Sequence, residues 1–181
     1  GGGDNSIGYF SDVRLVKGTA VYTSAFTPPT APLSAISGTS LLALRGDASI
    51  FDAAQINDLI LNGDVSSSTT QTKNASSSMY FDGSSTGDSV KIFFTPLGNK
   101  NFTIEGWFYG GTQSSATRIF TTGGNNNSGG FSLVLRTNGN IQLQAPGGTS
   151  VYEAGDYDDS AWHHFALVRQ GAGTNKFSFY L

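Results

Sequence analysis

The chain has no cysteine and one methionine, and only 13% of its residues are charged, about half the roughly 25% usual in globular domains. Without cysteine there can be no disulfide framework and no thiolate metal site; an extracellular location stays open, because a well-cored domain needs no covalent staples. No run of about 18 apolar residues is present, so insertion in a membrane as a helix is not expected. Ten Lys and Arg stand against thirteen Asp and Glu, giving a net charge of −3. That balance lacks the basic footprint of a nucleic-acid partner.

Rings and glycine are abundant. Thirteen Phe, seven Tyr and two Trp accompany 24 Gly, with many Ser, Thr and Asn between them. Aromatic and β-branched residues favour strands, and Gly and Asn favour the tight turns that join them. At 181 residues the chain is long enough for one well-cored domain and a piece of a second.

Alternation of apolar and polar residues marks the strands. In NFTIEGWFYG, Phe102, Ile104 and Phe108 share one face, and Thr103, Glu105, Trp107 and Tyr109 the other. In GGFSLVLRTNGNIQLQA, Phe131, Leu133 and Leu135 alternate with Ser132, Val134 and Arg136; Asn138-Gly139 then turns the chain into a second alternation at Ile141 and Leu143. AWHHFALVRQ sets Trp162, His164, Ala166 and Val168 opposite His163, Phe165, Leu167 and Arg169, and Phe177, Phe179 and Leu181 continue the pattern. Shorter strands are expected at Tyr9–Val16, at Leu41–Leu44, and in SMYFDG and DSVKIFF. Gln55–Val65 reads as a strand with an Asn62-Gly63 turn, and Ser66–Ser78 as a polar loop. Many short strands and no long helix indicate an all-β fold, an antiparallel β-sandwich.

Residues 1–26 read as the end of a domain, and the chain stops at Leu181 within a strand. Between them, Thr27–Gly38 carries three of the five prolines and reads as an extended linker. The segments MYFDGSSTGDSVKI, FTIEGWFY, WHHFALVRQ with KFSFYL, and IGYFSDVRLVKGTAVYTSAFTPP resemble successive signatures of the concanavalin A-like, laminin-G-like jelly-roll family. The resemblance is to the type found in phage tail-fibre and other virion or bacterial surface proteins. It implies a concanavalin A-like jelly roll over 39–181 that is truncated at its C-terminal end. It also implies that residues 1–26 are the closing strand of a preceding laminin-G-like domain, with 27–38 as the linker. The alternative is that 1–26 close the domain that follows, which pairing of Tyr9–Val16 with strands of 39–181 would reveal.

Several motifs carry both a chemical and a plain reading. His163-His164 looks like a metal pair, but neighbouring strand residues point to opposite faces. Glu105 is the one carboxylate of its strand, whereas glycoside hydrolysis needs two at a set separation; no enzymatic activity is expected. Arg45-Gly46-Asp47 is a chance-level tripeptide. Asp47 and Asp52, around a turn, are candidate ligands for Ca²⁺, which takes six to eight oxygens; turn formation is the simpler reading. Asn74, Asn101 and Asn126 begin glycosylation sequons, and the Gly-rich Thr121–Gly130 lacks the ending of a phosphate loop. Ser150–Trp162 reads as a loop holding Tyr152, Glu153, Asp156, Tyr157 and Asp158, where rings stack on sugar C–H faces and carboxylates accept from hydroxyls. These five are the candidate ligand-binding residues; the simpler reading is an acidic solubilising loop before a core Trp162.

The expected function is a non-catalytic module binding a cell-surface glycan or receptor, on a virion or extracellular surface. The alternative is a structural or decoration domain contacting neighbouring copies or other subunits of the assembly.

Overall fold

A computed structural model describes residues 7–43, 58–83, 87–93, 97–98, 100–112, 114–123, 130–145, 150–171 and 177–181. Among them there is no helix and there are thirteen strands. They are β1 (Ile7–Lys17), β2 (Thr39–Ala43), β3 (Ile60–Asn62), β4 (Ser66–Ser68), β5 (Ser78–Asp82), β6 (Ser89–Lys91) and β7 (Phe102–Gly110). β8 (Thr117–Thr121), β9 (Ser132–Leu135), β10 (Ile141–Gln144), β11 (Ser150–Glu153), β12 (Trp162–Arg169) and β13 (Phe177–Tyr180) complete the set. The first sheet runs β13-β12-β7-β1-β5-β4 with β2 also paired to β1; the second runs β11-β10-β9-β8; β3 and β6 form a separate ribbon. All pairings are antiparallel.

The alternation read from the sequence is the alternation of the sandwich. Phe102, Ile104 and Phe108 of β7 and Phe165 and Leu167 of β12 join Leu133, Leu135, Ile141 and Leu143 of the second sheet in one buried cluster. Rings bridge the layers: Phe120 stacks on Phe165 at 5.4 Å, and Phe102 meets Phe131 edge-on at 5.7 Å. Asn138-Gly139 makes the β9–β10 turn, with Gly139 at φ +76°, a conformation that glycine adopts freely.

β1 decides how the first sheet closes. It lies between β5 and β7, and its second half also pairs β2. Within this chain the segment therefore completes the sheet of the strands that follow it, the second of the two placements left open by sequence. The division at residues 26 and 38 does not separate bodies either. Leu33 is buried, its N–H donates to the Asp12 carboxylate at 3.1 Å, and Arg14 Nη1 donates to the Ser34 carbonyl at 2.8 Å. The Pro-rich stretch is a strap across the first sheet, held by the strand that precedes it.

A bulge makes this placement possible. Ser11 faces Trp107 and Arg14 faces Glu105, so two residues of β1, Asp12 and Val13, stand where β7 has Gly106 alone. One extra residue reverses the inward–outward phase. Phe10 before the bulge and Leu15 after it both join the core, while Tyr9, Ser11, Arg14 and Val16 register with outward-facing β7 residues. Asp12 has φ +51°, a region Asp tolerates better than most residues. A Cβ on Gly106 would come within 3.1 Å of Val13 and 3.2 Å of Phe165, so glycine here makes room for the bulge.

Three local expectations differ. Part of the Ser66–Ser78 tract is strand, because β4 pairs the edge of β5. β3 and β6 pair each other away from β5, so the turn at Gly63 leads from this ribbon to β4 of the first sheet rather than closing a hairpin. Ser150–Glu153 is the edge strand β11, not loop; its mostly exposed residues gave no alternation to read.

Candidate ligand-binding site

The outward face of the first sheet has a buried polar centre and an aromatic margin. At the centre, Glu105 is wholly buried. Its Oε1 accepts from Arg14 Nε at 2.8 Å and Nη2 at 2.5 Å, and its Oε2 accepts from the Tyr22 hydroxyl at 2.5 Å. His164 Nε2 stands 3.7 Å from Oε2, outside hydrogen-bond reach. Burial works to raise the Glu105 pKa, but the favourable partners, His164, Tyr22 and Arg14, outweigh it and hold the carboxyl below its ordinary value. Burial and the adjacent carboxylate push the Tyr22 phenol well up. Glu105 is thereby committed to structure. It fastens the segment that leads into the strap, where Tyr22 stacks on Phe26 at 3.6 Å and Phe26 meets His164 and Tyr180 edge-on.

Along the margin, four rings on four successive strands stand in direct register. Tyr80 of β5 faces Tyr9 of β1, Tyr9 faces Tyr109 of β7, and Tyr109 faces Trp162 of β12. Centroid separations are 4.9, 5.5 and 5.6 Å, the pitch set by the strands. All four are half-buried. The Tyr9 phenol is raised by burial and then by the neighbouring Tyr80 and Tyr109. One row further in, Trp107 lies beneath Lys73, whose Nζ is 4.2 Å from the ring centroid. Lys73 comes from the β4–β5 connection, which therefore folds over this face as a flank.

The acidic turn abuts the Trp162 end of this row. Ser160 N–H donates to the Gly110 carbonyl at 3.0 Å, and a Cβ on Gly110 would lie 3.1 Å from the Tyr157 carbonyl oxygen. Asp159 accepts from Ala161 N–H at 3.0 Å and pairs with His163 at 2.8 Å, and His163 is the main cause of its lowered pKa. Asp156 is exposed, and its hydrogen bond with Asp158 raises its pKa. Ionised carboxylates of this kind accept hydrogen bonds readily.

The five residues expected at the site are not on one surface. Gln142, which registers with Tyr152, alternates with the core residues Ile141 and Leu143. Tyr152 thus lies on the outer face of the second sheet, where its hydroxyl accepts from Gln142 Nε2 at 2.8 Å. Glu153 ends the same edge strand. Tyr157 turns inward against the core and meets His163 edge-on at 5.1 Å. Asp156 and Asp158 lie against the β9–β10 turn, where a Cβ on Gly139 would come 2.7 Å from Asp158 Oδ1 and 3.3 Å from the Asp156 Cα, so none of the five stands in the ring row. Trp162, expected in the core, is half-buried on the outer face. His164 is buried and His163 half-buried, on opposite faces as strand geometry requires. Asp47 and Asp52, with the tripeptide at 45–47, lie outside the described residues, and among the described residues no group of three or more His, Asp or Glu could hold a metal ion.

An apolar cavity of about 560 Å³ lies between the sheets, lined by Phe10, Leu15, Met79, Phe81, Ile104 and Phe120 among others. Its lining suits an apolar body, not a hydroxyl-rich one.

Comparison with protein families gives one match: a laminin-G-type model of the concanavalin A-like lectin/glucanases superfamily aligns with residues 82–181, more than half the chain. Neither curated proteins nor solved structures gave a match. The aligned residues include β6 to β13 but neither β1 nor the strap.

Proposed function

Since the chain belongs to the concanavalin A-like lectin/glucanases superfamily, we propose that it is a non-catalytic module that binds a glycan or glycosylated receptor on its outer sheet face, within a repetitive phage virion (tail-fibre-like) or extracellular surface protein. The ring row Tyr80–Tyr9–Tyr109–Trp162 carries this reading. Half-buried rings give rigid apolar contact at low entropic cost, and their hydroxyl and indole groups supply polar contacts. A sandwich holds such a row in fixed geometry at little conformational cost on binding.

The absence of catalysis in this reading rests on Glu105. Both of its oxygens are engaged by Arg14 and Tyr22 beneath the strap, which leaves it neither a proton to donate nor access to an acetal. Superfamily membership by itself selects no chemistry.

The alternative is assembly with neighbouring copies or other subunits of a virion. It is favoured by the β3–β6 ribbon, where Ile60 and Leu61 are over 40% exposed and nearby Phe93 is 79% exposed, more than solvent-facing strands usually leave uncovered. A glycan array run with Ca²⁺ and again with EDTA separates the readings. Selective binding supports the module, and its response to EDTA reports whether Ca²⁺ takes part. Silence from a folded chain that self-associates supports assembly.

A further inference from the structure

The ring row has a direction and a pitch, and both bear on what kind of glycan it would hold. Its four members sit at equivalent positions on β5, β1, β7 and β12, so the row crosses the strands and lengthens by one ring per strand. Its centroid spacings of 4.9, 5.5 and 5.6 Å are close to the advance per residue of an extended pyranose chain. A pocket for a terminal sugar would instead gather its rings around one point.

The tilts carry a second message. Tyr80 and Tyr9 are inclined by 30°, Tyr109 stands at 80° to Tyr9, and Trp162 is at 64° to Tyr109. The row is therefore a pair of near-parallel rings, an edge-on ring, and another turned ring. A flat crystalline surface would need coplanar rings. A single chain whose successive sugars rotate about the glycosidic bonds can present alternately a C–H face and a hydroxyl edge to such a row. The flanks are consistent with an open-ended path: the Lys73 connection lies over Trp107, one row inward, the strap covers the sheet centre around Glu105, and the acidic turn borders the Trp162 end.

On the premise that the outer face binds glycan, we infer that its ligand is the interior of a single linear polysaccharide chain, lying across the strands and spanning about four sugars, one per ring. Each unit then adds contact with one more ring. Affinity should climb from two to four sugars by about two- to tenfold per unit, the value of one ring contact, and then level off.

The test is affinity electrophoresis of the full chain in gels carrying, in turn, xylan, hydroxyethylcellulose, laminarin, alginate and agarose. Competition follows with oligomers of two to six units of whichever polymer retards it. Retardation with a plateau at four units is the expected result. Trp162→Ala and Tyr80→Ala, which remove the two ends of the row, should each move the plateau to three units while the near-ultraviolet circular dichroism persists. Tyr152→Ala, on the outer face of the second sheet, controls for non-specific effects and should keep the four-unit plateau. Binding that is complete with a mono- or disaccharide would overturn the linear-chain inference and leave the glycan reading standing. Failure to bind any of these polymers or any arrayed glycan would overturn both.

Discussion

Replacing Glu105 by Gln should destabilise the protein far more than a one-atom change suggests. Glu105 is wholly buried and Arg14 is 6% exposed, so neither charge has water to fall back on. In the variant, Arg14 keeps its hydrogen bond to the Ser34 carbonyl but loses its counter-charge, and Tyr22 loses a charged acceptor. Removing one partner of a buried pair costs about 3–5 kcal/mol, a large share of the roughly 5–15 kcal/mol that holds a domain together. Tyr22→Phe removes one hydrogen bond to a charged group, about 1.5–3 kcal/mol. Replacing both charges, Arg14→Met with Glu105→Leu, should recover most of the loss, because buried pairs exchanged for apolar residues are often neutral. Urea unfolding monitored by tryptophan fluorescence gives all four values. The pH dependence has a definite sign. A carboxyl held below its ordinary pKa contributes stability above its unfolded value of about 4.3 and loses it as pH falls through the lower folded value. Wild type should therefore weaken below about pH 4.3, and Glu105→Gln should flatten that part of the profile. A cost under 1 kcal/mol for Glu105→Gln, with the acid limb unchanged, would refute the view that this pair fastens the strap.

Other positions test other joints. Asp12→Ala removes the acceptor for the buried Leu33 N–H and places Ala at φ +51°; a loss of about 1–3 kcal/mol is expected, with faster hydrogen exchange at Leu33. Asp12→Asn, which tolerates the same backbone, should lose less. Gly110→Ala would bring a Cβ within 2.8 Å of Leu135 and 3.1 Å of the Tyr157 carbonyl; about 1–3 kcal/mol of overpacking is expected, with amide shifts concentrated in 155–161. Gly63→Ala combines φ +71° with a Cβ 1.9 Å from Asp88 Oδ1, and should loosen the β3–β6 ribbon, seen as faster exchange of its amides, before it affects the first sheet.

The sequence displayed those strands whose two faces differ. β7, β9, β10 and β12 alternate because one side meets the other sheet, and their inward residues were all legible. β11 was not, since its exposed residues face solvent and vary without period. β1 was seen as a strand, but its apolar residues fit neither phase throughout; the Asp12–Val13 bulge explains why, and a bulge has no period to betray it. Its place between β5 and β7 depends on pairings some 70 and 100 residues away, beyond any local pattern. The ring row escaped notice for the same reason. Tyr9, Tyr80, Tyr109 and Trp162 stand in four separate segments, and only register brings them together. A usable signal was present in Trp107 and Tyr109 sharing the outward face of β7, where rings outnumber what a solvated face requires. The acidic turn stood out in the sequence because its residues are adjacent, but strand alternation sends Tyr152 to the outer face of the second sheet.

That opposition provides the most direct test of the binding face. Glycan binding is to be compared among wild type, Tyr109→Ala, Trp162→Ala and Tyr152→Ala, each verified as folded by circular dichroism. The account predicts that the Tyr109 and Trp162 variants lose most of the binding, while Tyr152→Ala, on the far sheet, binds as wild type does. Loss at Tyr152 with full binding by the other two would contradict it and move the site to the outer face of the second sheet.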